Sequence, residues 1–165
     1  MKRQRELQGD LADFFVYFGR KIMKVAMGCD HGGYELKEIL KAHLLENGYE
    51  IEDMGCFSKE SVDYPVYARA AAEKVASGEC EKGIVICTTG IGVSIVANKV
   101  PGIRAALCHN EHTATMTRLH NNSNVLAMGA GEVTQEMALK MTDIFLTTEF
   151  PNEERHARRV AMIEG

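Results

Sequence analysis

Cys87-Thr88-Thr89-Gly90-Ile91-Gly92-Val93-Ser94 joins a continuous apolar run, Gly83-Ile84-Val85-Ile86-Cys87, to a helical pattern from about Val93 to Lys99. A turn that leads from a strand into a helix leaves backbone N–H groups without intrahelical acceptors. Where several converge they can hold an anion or a developing oxyanion. The same electropositive turn is expected to favour the thiolate of Cys87, the reactive form of a cysteine. An alternative makes Cys87 the buried end of a core strand and leaves the glycines serving only the turn. Spacing removes three sharper readings. The third glycine of a dinucleotide fingerprint would fall at Ile95, and no G-x-x-x-x-G-K-[ST] occurs. A cysteine-dependent phosphatase would want an arginine where Val93 stands.

Three other groups have chemistry-bearing types. Gly28-Cys29-Asp30-His31-Gly32-Gly33 puts an Asp-His pair in a glycine-rich turn, suited to sugar hydroxyls or to orienting an imidazole, or else to capping the turn. It is a poor metal site, because Cys29 and His31 have no further ligands close by. Leu119-His120-Asn121-Asn122-Ser123-Asn124 places a histidine at a helix end, as an exposed acid or as a cap interacting with the helix dipole. Arg155 and Arg159 are four residues apart on one helical face, where two guanidiniums can fork onto a phosphate or simply form a solvated basic face. His109 and His112 have no third partner and read as solvent-facing.

The elements that must position these residues alternate. Short apolar strands are expected at Lys24–Met27, Ile51–Met54, Gly83–Cys87, Arg104–Leu107 and Val125–Met128. Helical patterns fall at Tyr34–Glu46, from Asp63-Tyr64-Pro65 to Ser77-Gly78, at Val93–Lys99, Glu111–Leu119, Thr134–Thr147 and Glu153–Ile163. Apolar strands separated by helices imply βαβ units and a parallel sheet covered on both faces, with ligands outside the carboxyl ends of the strands. The chain of 165 residues, 45% apolar and 25% charged, is one ordinary globular domain. A net charge of −4 argues against a nucleic-acid surface spread over the whole protein. Five scattered cysteines without a C-x-x-C pair argue against a disulfide framework or a zinc ribbon and fit a reducing cytosol. The longest uncharged stretch, Gly83 to Asn98, is too short and polar to cross a membrane. Residues 1–22 carry five basic and three acidic side chains and read as an appended helix or poorly ordered extension; residues 23–165 form the functional domain.

Taken in order, the motifs resemble the ribose-5-phosphate isomerase B family, which also includes galactose-6-phosphate isomerase subunits. The pieces are Gly28–Gly33, Asp63-Tyr64-Pro65, Gly83–Cys87, Thr89–Gly92, Ala97–Ala105, His120-Asn121, Asn124–Ala127, and Arg155-His156 with Arg159. The resemblance implies a Rossmann-like three-layer α/β sandwich with a five-stranded parallel sheet. It also implies an aldose–ketose isomerase working through an enediol, without metal or organic cofactor. Cys87 would move the proton between C1 and C2, and Thr89 and His120 would open the sugar ring. Asp30, His31 and Asn121 would bind the sugar, and the turn Thr88-Thr89-Gly90-Ile91-Gly92 would cradle the oxyanion. Arg155 and Arg159 would grip the phosphate. The family forms homodimers, sometimes dimers of dimers, with sites at the subunit interface.

Two positions depart from the family pattern. Thr88 follows the cysteine where glycine is usual, and Gly131 stands where a phosphate-binding arginine is usual. The second departure predicts weaker phosphate binding, a substitute cation such as Arg118 or Lys99, or a different sugar phosphate. The expected reaction is interconversion of ribose 5-phosphate and ribulose 5-phosphate. The alternatives are isomerisation of another phosphorylated aldose, such as allose 6-phosphate or galactose 6-phosphate, and silent binding of a sugar phosphate.

Overall fold

The computed structural model describes residues 22–165. The extension expected over residues 1–22 therefore lies, apart from Ile22, outside the described residues. Five strands, β1 (Lys24–Cys29), β2 (Glu50–Asp53), β3 (Lys82–Cys87), β4 (Ala105–Leu107) and β5 (Val125–Gly129), form one sheet in the order β2-β1-β3-β5-β4. Every pairing is parallel, with Cys29 opposite Ile86 and Cys87 opposite Gly129.

Parallel strands need crossovers, and helices supply them. These are α1 (Tyr34–Glu46), α2 (Tyr64–Ala76), α3 (Ile91–Ala97), α4 (Glu111–Asn121) and α5 (Gln135–Thr147), followed by a C-terminal α6 (Glu154–Glu164). Side chains alternate across a strand, so each apolar run feeds two cores. Val25, Met27, Ile84, Ile86, Leu126 and Met128 pack on one face against Leu36, Leu40 and Leu44 of α1 and Ala138, Met141 and Phe145 of α5. Ala26, Val85, Cys87, Val125 and Ala127 pack on the other against Ala68, Ala71, Ala72 and Val75 of α2 and Val93 and Ala97 of α3. No helix among the described residues is long and apolar enough to cross a membrane.

Two polar devices finish the sheet. Lys37, fully buried, donates to both carboxylate oxygens of Asp53 at 2.6 and 2.7 Å, tying α1 to the edge strand β2. Its ammonium also lies 5.0 Å from the Phe57 ring centroid and 5.7 Å from that of Tyr34. At the other edge, the Asn98 side chain donates to the Ala105 carbonyl and accepts from the Ala105 N–H, both at 2.9 Å, as a neighbouring strand would.

Candidate active site

Strand order reverses between β1 and β3, and such a switch point opens a crevice at the carboxyl edge of the sheet. The turn after β1 and the turn after β3 flank it. Asp30, buried, accepts the Gly33 N–H on Oδ1 at 3.0 Å. His31, exposed, accepts the Val62 N–H on Nδ1 at 3.2 Å, which places the proton of a neutral ring on Nε2, facing outward as a donor.

Across the crevice the Gly90 N–H donates to Cys87 Sγ at 3.1 Å. Gly90 has φ 77°, and a Cβ there would sit 2.6 Å from Leu107 Cδ1 and from the Met128 carbonyl carbon, so only glycine fits. Thr89 Oγ1 accepts the Ile91 N–H at 3.3 Å, leaving its own proton to donate outward. Two donors that the sequence left open are thus used within the turn, while the Thr89 N–H has no acceptor among the described residues. The Tyr64 ring closes the turn from the side, 2.7 Å from where a Gly92 Cβ would be.

Three of the other cysteines are poor candidates for a base. Burial pushes the Cys29 thiol up to about 12, with nearby Cys56 adding to it, and pushes Cys108 up to about 11. Burial also raises Cys80. Cys87 combines 6% exposure, a backbone donor on its sulfur and a place on the crevice.

His120, Asn121, Arg155 and Arg159 do not join this cluster. α4 leaves the carboxyl edge at Glu111 and runs back for 11 residues, about 16 Å at the helical rise. Its end is therefore at the amino edge of the sheet, where the Asn122 carbonyl accepts from Arg104 just before β4. There His120 stacks on His156 of α6, ring centroids 4.3 Å apart and 12° from parallel. His156 is buried, and burial pushes its imidazole down, helped by His120 and Arg155. Arg155 and Arg159 stand exposed on the same helix, and the Arg104–Glu164 ion pair fixes its far end. Burial pushes Lys82 on this edge down to about 8, with repulsion from Arg118 and Arg104 adding to it.

Neither substitute cation expected from the sequence reaches the crevice. Arg118 is 4% exposed, donating to the Thr148 carbonyl at 3.0 Å, to Asn122 Oδ1 at 3.0 Å and to the Ser123 carbonyl, with Phe145 beneath it. Buried guanidiniums need such acceptors, and the carbonyls beyond α4 and α5 supply them. Lys99 follows the end of α3, on the edge opposite Cys87. His109 and His112 are exposed, and no metal-ligating cluster is present among the described residues. The sequence carries no signal for Tyr64 or His156 in these roles. Tyr64 was legible only as a helix start, and His156 only as one letter of an arginine motif.

The family described as Ribose/Galactose Isomerase matches residues 25–163. Ribose-5-phosphate isomerase B of Escherichia coli (strain K12) is 46% identical over 140 residues, 85% of this chain and 93% of that one. The solved ribose-5-phosphate isomerase B of Clostridium thermocellum superposes with a TM-score of 0.84 at 51% identity, over 86% of this chain and 95% of that one. The type B ribose 5-phosphate isomerase of Trypanosoma brucei gives 0.84 at 42% identity, over 87% and 98%.

Proposed function

The chain belongs to the ribose/galactose isomerase family, and from that premise we propose that it interconverts ribose 5-phosphate and ribulose 5-phosphate, with Cys87 as the base. The observation that carries this reading is the Gly90 N–H donating to Cys87 Sγ, beside a free Thr89 N–H and across the crevice from Asp30 and His31. Isomerisation next to a carbonyl needs a base at the carbon and a donor at the oxygen. Cys87 takes the proton from C2 of the open-chain aldehyde, and the electron pair moves to O1. O1 is protonated, O2 gives up its proton, and C1 receives one, leaving a C2 ketone. The Thr89 N–H and hydroxyl, presented by the Thr88–Gly92 turn, meet the developing enediolate. Asp30 and the His31 Nε2–H hold the sugar hydroxyls.

Ring opening breaks the C1–O4 bond, with a proton leaving O1 and one arriving on O4. Thr89 and His120 are the groups for this exchange, Asn121 binds the sugar, and Arg155 and Arg159 take the phosphate. His120, Asn121, Arg155 and Arg159 stand on the amino edge, so a complete site needs the carboxyl edge of one copy and the amino edge of a second. The working form is a homodimer, or a dimer of dimers, with a site at each junction. The reaction requires no metal or organic cofactor, and the five free cysteines suit a reducing cytosol.

The test is ribulose 5-phosphate formation from ribose 5-phosphate in EDTA, wild type beside Cys87→Ala. Turnover by the wild type alone is expected. Full turnover by the variant removes Cys87 as the base, and an inert wild type removes the substrate.

A further inference from the structure

Thr88 is exposed, directly after Cys87, and its hydroxyl has no hydrogen-bond partner among the described residues. Its surroundings are cut to its shape. A Cβ on Gly32 would come 2.3 Å from Thr88 Oγ1 and 3.3 Å from Asp30 Oδ1. A Cβ on Gly131 would come 3.1 Å from the Thr88 carbonyl oxygen and 3.4 Å from Thr88 Cγ2, while the Gly131 N–H donates to that carbonyl at 2.8 Å. One side chain therefore fills the gap between the turns after β1, β3 and β5, and both facing residues have none. Anything that reaches from Asp30 to the Cys87 turn passes over it.

We propose that the Thr88 side chain forms the floor of this cleft and sets the length of sugar phosphate accepted, favouring five carbons over six. This rests on the isomerase reading above. Bulk is the operative property: with C1 and C2 fixed at Cys87 and the phosphate fixed at its cations, a chain longer by one carbon must bow toward the floor. The extra hydroxymethylene is at least as bulky as a methylene, whose misfit in a tight pocket is worth roughly 10–200-fold in kcat/KM.

The experiment compares kcat/KM for ribose 5-phosphate and allose 6-phosphate in wild type, Thr88→Gly, Thr88→Ser and Thr88→Val. Thr88→Gly should raise the six-carbon to five-carbon ratio by about 10-fold or more. Thr88→Val, with the same shape and no hydroxyl, should keep the wild-type ratio, and Thr88→Ser should fall between. A Thr88→Gly ratio within twofold of wild type overturns the proposal, as does a Thr88→Val that behaves like Thr88→Gly. Calorimetric dissociation constants for ribitol 5-phosphate and allitol 6-phosphate give the same ratio without turnover. An inert wild type whose binding ratio still moves with Thr88→Gly refutes the reaction and keeps the gauge, whereas no binding of either polyol phosphate refutes both.

Discussion

Replacing Gly90 with alanine should damage stability and turnover together, and the structure supplies its own control. Gly90 and Gly102 both lie in the left-handed region, at φ 77° and 82°. A Cβ at Gly102 meets nothing within 4 Å, whereas one at Gly90 lands 2.6 Å from the Met128 carbonyl carbon and 2.8 Å from the Gly129 nitrogen, both backbone atoms of the central sheet. Gly102→Ala therefore bears only the left-handed cost, about 1–2 kcal/mol. Gly90→Ala adds an overpacking cost of about 1–3 kcal/mol. For a chain of this size each kcal/mol moves the melting temperature by roughly 2–4 °C, so Gly102→Ala should lose about 3–6 °C and Gly90→Ala roughly twice that. The overlap is relieved by lifting the turn off β5, which moves the Gly90 N–H away from Cys87 Sγ. The same shift displaces the neighbouring Thr89 N–H, and loss of a donor aimed at the developing enediolate costs roughly 100-fold or more in kcat. Thermal unfolding and ribose 5-phosphate kinetics on both variants read the two effects. Equal losses of stability, or a Gly90→Ala enzyme with wild-type kcat, would refute the argument that the turn is held against the sheet by the absence of one carbon.

Cys87→Ala and His120→Ala should each be inactive alone, yet co-expression of the two should restore roughly a quarter of wild-type activity, because randomly mixed dimers hold one site built from two intact halves; no recovery in a verified mixed dimer would place both residues in one chain's site. Burial alone would raise the Asp53 carboxyl, but hydrogen bonds from Lys37, Lys41 and the Gly55 N–H outweigh it and hold it below the usual carboxylate range. That contribution is present above pH 4 and is lost as pH falls through the lowered folded value. Asp53→Asn leaves the buried Lys37 ammonium with Glu38, at 3.1 Å, as its remaining carboxylate partner and should lose about 3 kcal/mol at pH 7 by urea unfolding, the low end for a buried pair because Glu38 stays and Asp53 is 15% exposed. The gap from wild type should narrow below pH 4; a gap that widens there contradicts the linkage.

The strands were legible because β1, β3 and β5 are uninterrupted apolar runs, which only a doubly covered sheet requires. The turns after β1 and β3 were legible for the same local reason, being glycines at strand ends. Strand order was not legible, since pairing depends on contacts far apart in sequence, and with it went the separation of the Cys87 turn from His120. Their residue types match one reaction, but a helix running from one edge of the sheet to the other keeps them apart within a chain. Arg118 misled for a related reason. A cation on a helix reads as surface, and its burial shows only when the Thr148 and Ser123 carbonyls fold around it. The use of the Gly90 and Ile91 N–H groups inside the turn was equally hidden, because it depends on where one sulfur and one hydroxyl point.

Both margins of the sheet are closed to strangers. A bare outer strand is a template on which another extended chain can grow, and repeated growth of that kind ends in aggregate. On one side Glu50, Glu52 and Asp53 line β2 with charge, and Lys24 answers the two glutamates. On the other, the Asn98 amide occupies the Ala105 N–H and carbonyl that an incoming strand would need first. A side chain acts there as a dummy sixth strand of a single residue, too short to be extended. A strand from a neighbouring copy therefore finds neither margin ready to extend the sheet.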